Sequence, residues 1–170
     1  TYVGWSTSSS ASSGIKTLTP TSNSTYYAVW SIVDTTNPTG SISSTNNVAS
    51  SQTVTLSLND NVGVAGYYWG TSSTYTNNTY ASTSASSVTK TISSSGTYYL
   101  TVKDTSGNVS SNYSITFYKP TLNANGGSVS PTSVLTKNGN SFTFPTPTKG
   151  NNTYVGWSTS SSASSGIKTL

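Results

Sequence analysis

A chain of 170 residues with 31% hydrophobic and 6% charged positions has material for one or two thin-cored domains, and too little charge for the polyelectrolyte kind of disorder. Seven lysines stand against three aspartates for a net charge of +4, and Cys, Met, His, Arg and Glu are all absent. Disulfides and thiol or imidazole catalysis are thereby excluded, and a chain with so little to oxidise suits long residence outside a cell.

Ser and Thr together make 70 of the 170 residues, so a core has to come from alternating strands. Val, Ile, Thr and the 12 Tyr are the residues that fit a half-buried pleated surface. No apolar run approaches the roughly 20 residues that span a bilayer, no signal peptide is present, and a slice from the middle of an array would lack both. All three aspartates and two of the lysines fall within residues 31–118. The other lysines, Lys16, Lys119, Lys137, Lys149 and Lys168, are scattered rather than clustered, which argues against a specific nucleic-acid reader.

The first 18 residues, Thr1 to Leu18, recur without a change as Thr153 to Leu170, an offset of 152 residues. A period that long exceeds the roughly 20 to 50 residues of a solenoid unit, so each period contains whole domains and the chain reads as a slice from a tandem array. The duplicated segment opens with a short strand, Thr1 to Trp5, and a Ser-rich loop leads to an aromatic strand, Thr25 to Trp30, with Tyr26, Ala28 and Trp30 on one face. Two short strands alone are marginal in water, so residues 1–30 need a sheet partner.

Asp34 to Gly40 is a turn-rich linker in which Pro38 rules out helix. Alternation then becomes regular: Val54, Leu56 and Leu58 share one face of a strand, Tyr98, Leu100 and Val102 another, and Tyr113, Ile115 and Phe117 a third. Further strands are expected at Val64 to Trp69 and Val88 to Ile92, and this spacing predicts an all-β antiparallel sandwich over residues 31–118. The motifs Asp34-Thr-Thr-Asn-Pro38, Asn59-Asp-Asn-Val-Gly-Val64, Gly96-Thr-Tyr-Tyr99 and Val102-Lys-Asp-Thr-Ser-Gly-Asn108 resemble the bacterial Ig-like repeats of large surface proteins. That resemblance implies an Ig-like sandwich with Trp69 as the buried strand-C aromatic and Tyr98 as a corner tyrosine.

In residues 119–170, Asn125-Gly126-Gly127 marks a tight turn, and Phe142 and Phe144 are expected on one strand face. Pro145-Thr-Pro-Thr-Lys-Gly150 and Tyr154-Val-Gly-Trp157 follow. Joined to Tyr26-Tyr-Ala-Val-Trp30, this order resembles the internalin B-type repeat, a small β-grasp-like module; Gly150 to Thr153 is a longer link than the family's pattern. The resemblance implies that residues 1–30 are the closing part of one such module and residues 119–170 the opening part of the next.

Catalysis is not expected. A Lys–Asn isopeptide crosslink needs a buried acid, and the segments outside 31–118 have none; Lys90 and Lys103 read as solvated lysines on strand faces. Two binding sites are candidates. In a seven-strand sandwich Asp34, Asp60 and Asp104 all fall at one pole, and their carboxylates suit Ca²⁺, though each also suits its own Asx turn. Tyr67, Tyr68, Tyr75, Tyr80 and Tyr99 include several that alternation sends outward, where rings stack on sugars.

The expected function is a repetitive extracellular stalk, adhesin or fibre segment of a bacterial surface protein, with a carbohydrate- or wall-polymer-binding module as the alternative. The expected partners are other copies of the repeat, head to tail. Residues Tyr26, Ala28 and Trp30 of one copy are expected to complete the sheet begun around Phe142, Phe144 and Trp157 of the copy before it, because exposed strand edges pair with what fits them.

Overall fold

The computed structural model describes residues 1–45, 50–76 and 79–167, in two compact units, Thr1–Thr36 and Asn37–Leu170. Every named strand pairing is antiparallel, as expected for an all-β chain. Among the described residues no helix is long and apolar enough to cross a membrane.

The first unit holds β1 (Tyr2–Ser6) and β2 (Tyr27–Trp30), paired with Gly4 facing Val29, Trp5 facing Ala28 and Ser6 facing Tyr27. The opposite edge of β1 is bridged by the returning Ser-rich loop, with Trp5 N donating to Ile15 O at 2.8 Å and Ile15 N to Trp5 O at 3.0 Å. Close passage explains two glycines here. A Cβ added to Gly4 would meet the carbonyl carbon of Gly14 at 2.6 Å, and one on Gly14 would meet Gly4 at 2.8 Å, so only bare backbone fits at the crossing. Val29 is the buried side chain of β2, while Trp30 is 70% exposed.

In the second unit β3 (Thr39–Ser44), β4 (Gln52–Asn59) and β7 (Ser87–Ile92) form one sheet in the order β3-β4-β7. The other sheet runs β10-β9-β8-β5-β6, from β5 (Val64–Gly70), β6 (Ala81–Ser82), β8 (Gly96–Asp104), β9 (Tyr113–Tyr118) and β10 (Thr136–Lys137). Val54, Leu56 and Leu58 point from the first sheet, and Leu100, Val102, Ile115 and Phe117 from the second, into one buried core. This is the sandwich that period-two alternation predicts. Trp69 is half-buried at its margin, stacked on Tyr98 at 5.5 Å, and the Tyr98 hydroxyl donates to Ser94 O at 3.1 Å, the backward bond of a tyrosine corner.

The sandwich does not stop at residue 118. β10 adds to the free edge of β9, Leu135 is fully buried in the sandwich core, and the buried Gln52 amide donates to Leu135 O at 2.8 Å. Beyond it lies a second, smaller core of Leu122, Val134 and Phe142, with Val129, Phe144 and Trp157 half-buried around it. The strand expected to carry Phe142 and Phe144 is absent from the named strands. Isolated bridges, Thr121 to Ser133 and Ser128 to Thr148, stand where a ladder was expected. Short segments without a full set of neighbours on both sides do not build a regular sheet.

Candidate functional site

Three groups of residues come into question: the aspartates, the tyrosines and the duplicated aromatic strand. Each aspartate first serves its own loop. Asp34 in the first unit accepts from Thr36 N at 3.0 Å, an Asx turn. Asp60, in the turn between β4 and β5, accepts through Oδ2 from Val62 N at 2.9 Å and Gly63 N at 2.8 Å. These bonds, Gly63 first and then Val62, hold its carboxyl below the usual 3.8, against an opposing push from burial. Asp104, at the end of β8, is 1% exposed and accepts from Ser106 N at 2.9 Å, Asn108 N at 2.8 Å and Asn108 Nδ2 at 2.7 Å.

Asp60 and Asp104 do meet. The two loops are tied by Thr105 N donating to Gly63 O at 2.9 Å, and one oxygen of each carboxylate lies within 4.8 Å of the other. Asp34 belongs to the other unit. Two carboxylates offer about eight lone-pair positions, and the five bonds above use most of them. Asp60 Oδ1, shielded from solvent and without a hydrogen-bond partner among the described residues, is the oxygen best placed for a cation. The pair therefore fits part of a calcium shell of six to eight oxygens and does not close one.

The tyrosines do not form an open platform. Tyr67 is 5% and Tyr68 9% exposed, which corrects the expectation that alternation leaves one of them outward. Tyr67 belongs to the sandwich core, and a second layer covers the outer face of β5. The Tyr80 ring lies on Gly66, 2.2 Å from where a Cβ would stand, and Lys103 Nζ sits 5.2 Å from its centroid. Tyr75 packs edge-on to Tyr68 at 6.3 Å, and burial pushes its hydroxyl pKa up. Lys90 Nζ stands 5.2 Å over the Tyr67 ring, so both strand lysines cover tyrosines with their cations. Tyr99, on β8, is half-buried.

The duplicated segment gives a direct comparison. Lys168, Thr169 and Leu170 lie outside the described residues, but from Tyr154 to Ile167 the second copy repeats the first bond for bond. Trp157 and Ile167 exchange two backbone bonds of 2.8 Å. Tyr154 meets Trp157 edge-on at 6.4 Å and 65°, as Tyr2 meets Trp5 at 6.3 Å and 69°. Gly156 and Gly166 cross as closely as Gly4 and Gly14, with added Cβ atoms at 2.6 and 2.5 Å from backbone. Surroundings differ. Trp157 lies 5.6 Å from Phe144, donates Nε1–H to Pro145 O at 3.0 Å, and joins Phe142, whose ring is 4.8 Å from Phe144. Trp5 is 46% exposed and lines an apolar groove of about 300 Å³ with Ile15, Leu18 and Tyr26.

Comparison with known proteins returns no matching family model, curated protein or solved structure. The geometry alone therefore carries the functional reading. Sequence reasoning missed one further feature, a groove at the sandwich end lined by Ser95, Tyr118, Lys119, Lys137, Asn138 and Asn140. Lys119 Nζ there donates to Ser93 O at 2.9 Å. Lys119 and Lys137 are legible as charges in the sequence, but only the pairing of β10 with β9 brings them to one place.

Proposed function

We propose that this chain is a segment of a repetitive extracellular stalk or adhesin of a bacterial surface protein, a spacer that assembles with further copies of itself and performs no catalysis. The observation that supports this most is the seating of Leu135 in the sandwich core, with Gln52 bonded to its carbonyl. A segment that follows the sandwich is thereby locked onto it through strand pairing and a shared core, which resists bending as a flexible linker does not. Taken with an identical segment 152 residues apart, such a junction repeated along a chain yields a stiff rod of modules, the property a stalk needs. Calcium enters as a weak clamp at the Asp60–Asp104 loops, with Asp34 the third acid of the chain, in the millimolar range typical of extracellular modules.

A second reading, a module binding an anionic wall polymer or glycan, is favoured by the groove with Lys119, Lys137 and the 55% exposed Tyr118. Pull-down on purified wall polymers and a glycan array, in low salt and in about 0.5 M salt, separates the two, since screening removes lysine-driven retention. A spacer is retained on none of them. Saturable retention lost on Lys119→Ala and Lys137→Ala replaces the spacer reading with the binding module.

A further inference from the structure

Asparagine is followed by glycine twice in this chain, at Asn125-Gly126 and at Asn138-Gly139. Both pairs sit in tight turns that need positive φ, and the two glycines supply it at 85° and 81°. The same dipeptide is chemically labile, because a glycine N–H with no side chain beside it reaches the carbonyl carbon of the preceding asparagine side chain without hindrance. Both asparagines are exposed, so access to water does not separate them. Hydrogen bonding does. Asn125 is tied at three points: Nδ2 donates to Ser161 O at 2.8 Å, its backbone N to Asn123 Oδ1 at 2.9 Å, and its carbonyl accepts from Lys149 Nζ at 2.7 Å. Its glycine is crowded too, with Lys149 Nζ at 3.3 Å from where a Cβ on Gly126 would stand.

At the other pair the backbone is held on either side and the reacting groups are not. Asn138 N donates to Thr116 O at 2.8 Å and Asn140 N to Lys137 O at 3.1 Å. Among the described residues nothing bonds the Asn138 side-chain amide or Gly139 N, and no atom lies within 4 Å of where a Cβ on Gly139 would stand. We propose that Asn138 is a self-modifying site that deamidates in the folded chain, while Asn125 is protected by its bonds. Gly139 N attacks Asn138 Cγ; the N–Cγ bond forms, the Cγ–Nδ2 bond breaks, and the Gly139 amide proton leaves with Nδ2 as ammonia. Water then opens the cyclic imide at either carbonyl. The product is a carboxylic acid on a normal or a β-linked (isoaspartyl) backbone, with no change of oxidation state. That acid ionises near a pKa of about 3.9, so at neutral pH it places a carboxylate in the groove that holds Lys119 and Lys137. The net charge of +4 falls by one, and the groove loses attraction for anions as the chain ages. The site stands independently of the stalk reading, since it needs only the folded sandwich and its β10 turn.

The test is a time course of the full chain at neutral pH and physiological temperature. Samples are resolved by cation exchange, then cut with chymotrypsin under mildly acidic conditions that stop further reaction. Mass and enzymatic methylation of isoaspartate are read on the peptides Thr136 to Phe142 and Asn123 to Leu135. The expected result is reaction at Asn138 at least about tenfold faster than at Asn125, a barrier difference of about 1.4 kcal/mol. In concentrated urea, where Asn125 loses its bonds to Ser161, Asn123 and Lys149, the two rates are expected to converge. Asn138→Gln removes the fast acidic species and leaves the Asn125 rate as it was. Comparable rates in the folded chain, faster reaction at Asn125, or an Asn138 that stays intact while the unfolded chain reacts at both positions overturns the proposal. A preference that persists unchanged in urea also overturns it, because the difference then comes from local sequence and not from the folded bonds.

Discussion

Trp157 lies 5.6 Å from Phe144 in a small aromatic core, whereas Trp5, the same residue of the same sequence, is 46% exposed. Local sequence therefore determines the fold of this segment and its surroundings determine its burial. Substituting Phe142→Ala, 4% exposed and 4.8 Å from Phe144, removes most of that second core. Urea unfolding followed by tryptophan emission is expected to show a loss of about 3 to 4 kcal/mol in the transition reported by Trp157, with the sandwich transition little moved.

The junction makes a separate prediction. Replacing the buried Gln52 with Ala removes the donor to Leu135 O and leaves a buried carbonyl unpaired, at a cost of about 1 to 3 kcal/mol. Hydrogen exchange at Thr136 and Lys137 in β10 is expected to accelerate more than exchange in β4. Uniform acceleration through both sheets contradicts a junction held at this point.

Much of the sandwich was legible because burial there follows period two: Val54, Leu56 and Leu58 alternate with Thr and Ser on β4, and the structure buries all three. The bond from the Tyr98 hydroxyl to Ser94 O, four residues back, was expected only through the resemblance to Ig-like repeats and not from alternation. The outer face of β5 was not legible. Tyr67 turns into the sandwich core, whereas Tyr68 meets Tyr75 and Gly66 meets Tyr80 on the other face, and alternation carries no information about such a second layer. The contact of Leu135 with the sandwich core was hidden for the same reason, since a single apolar residue after a loop marks no partner. For the candidate site, the aspartates were legible by position, and Asp60 and Asp104 do meet. The use of their oxygens in turn closure follows from backbone geometry that composition does not reveal.

Tyr98→Phe tests the corner by itself. It deletes the hydroxyl that donates to Ser94 O and leaves the ring stack on Trp69 in place. About 1 kcal/mol is expected to be lost, read as a lower urea midpoint with an unchanged slope.

Acid and calcium probe the Asp60–Asp104 loops. Asp60 titrates below its ordinary value of 3.8 in the folded chain, chiefly through the Gly63 and Val62 N–H groups. Its carboxylate therefore contributes stability above that value, and the contribution fades as pH falls toward the lower folded value. Asp60→Asn is expected to melt lower than the parent at pH 7, with the gap closing below about pH 4. Millimolar calcium is expected to raise the melting temperature of the parent and not of Asp60→Asn; a parent indifferent to both calcium and chelator removes calcium from the account.

The most direct measurement of the stalk reading is small-angle scattering from covalent chains of one, two and four 152-residue periods. A strand rises about 3.3 Å per residue, so each module contributes on the order of 30 Å. The maximum dimension is expected to grow by one constant increment of tens of Å per added period. Growth with roughly the square root of period number, as for modules on flexible linkers, or no growth at all, contradicts it.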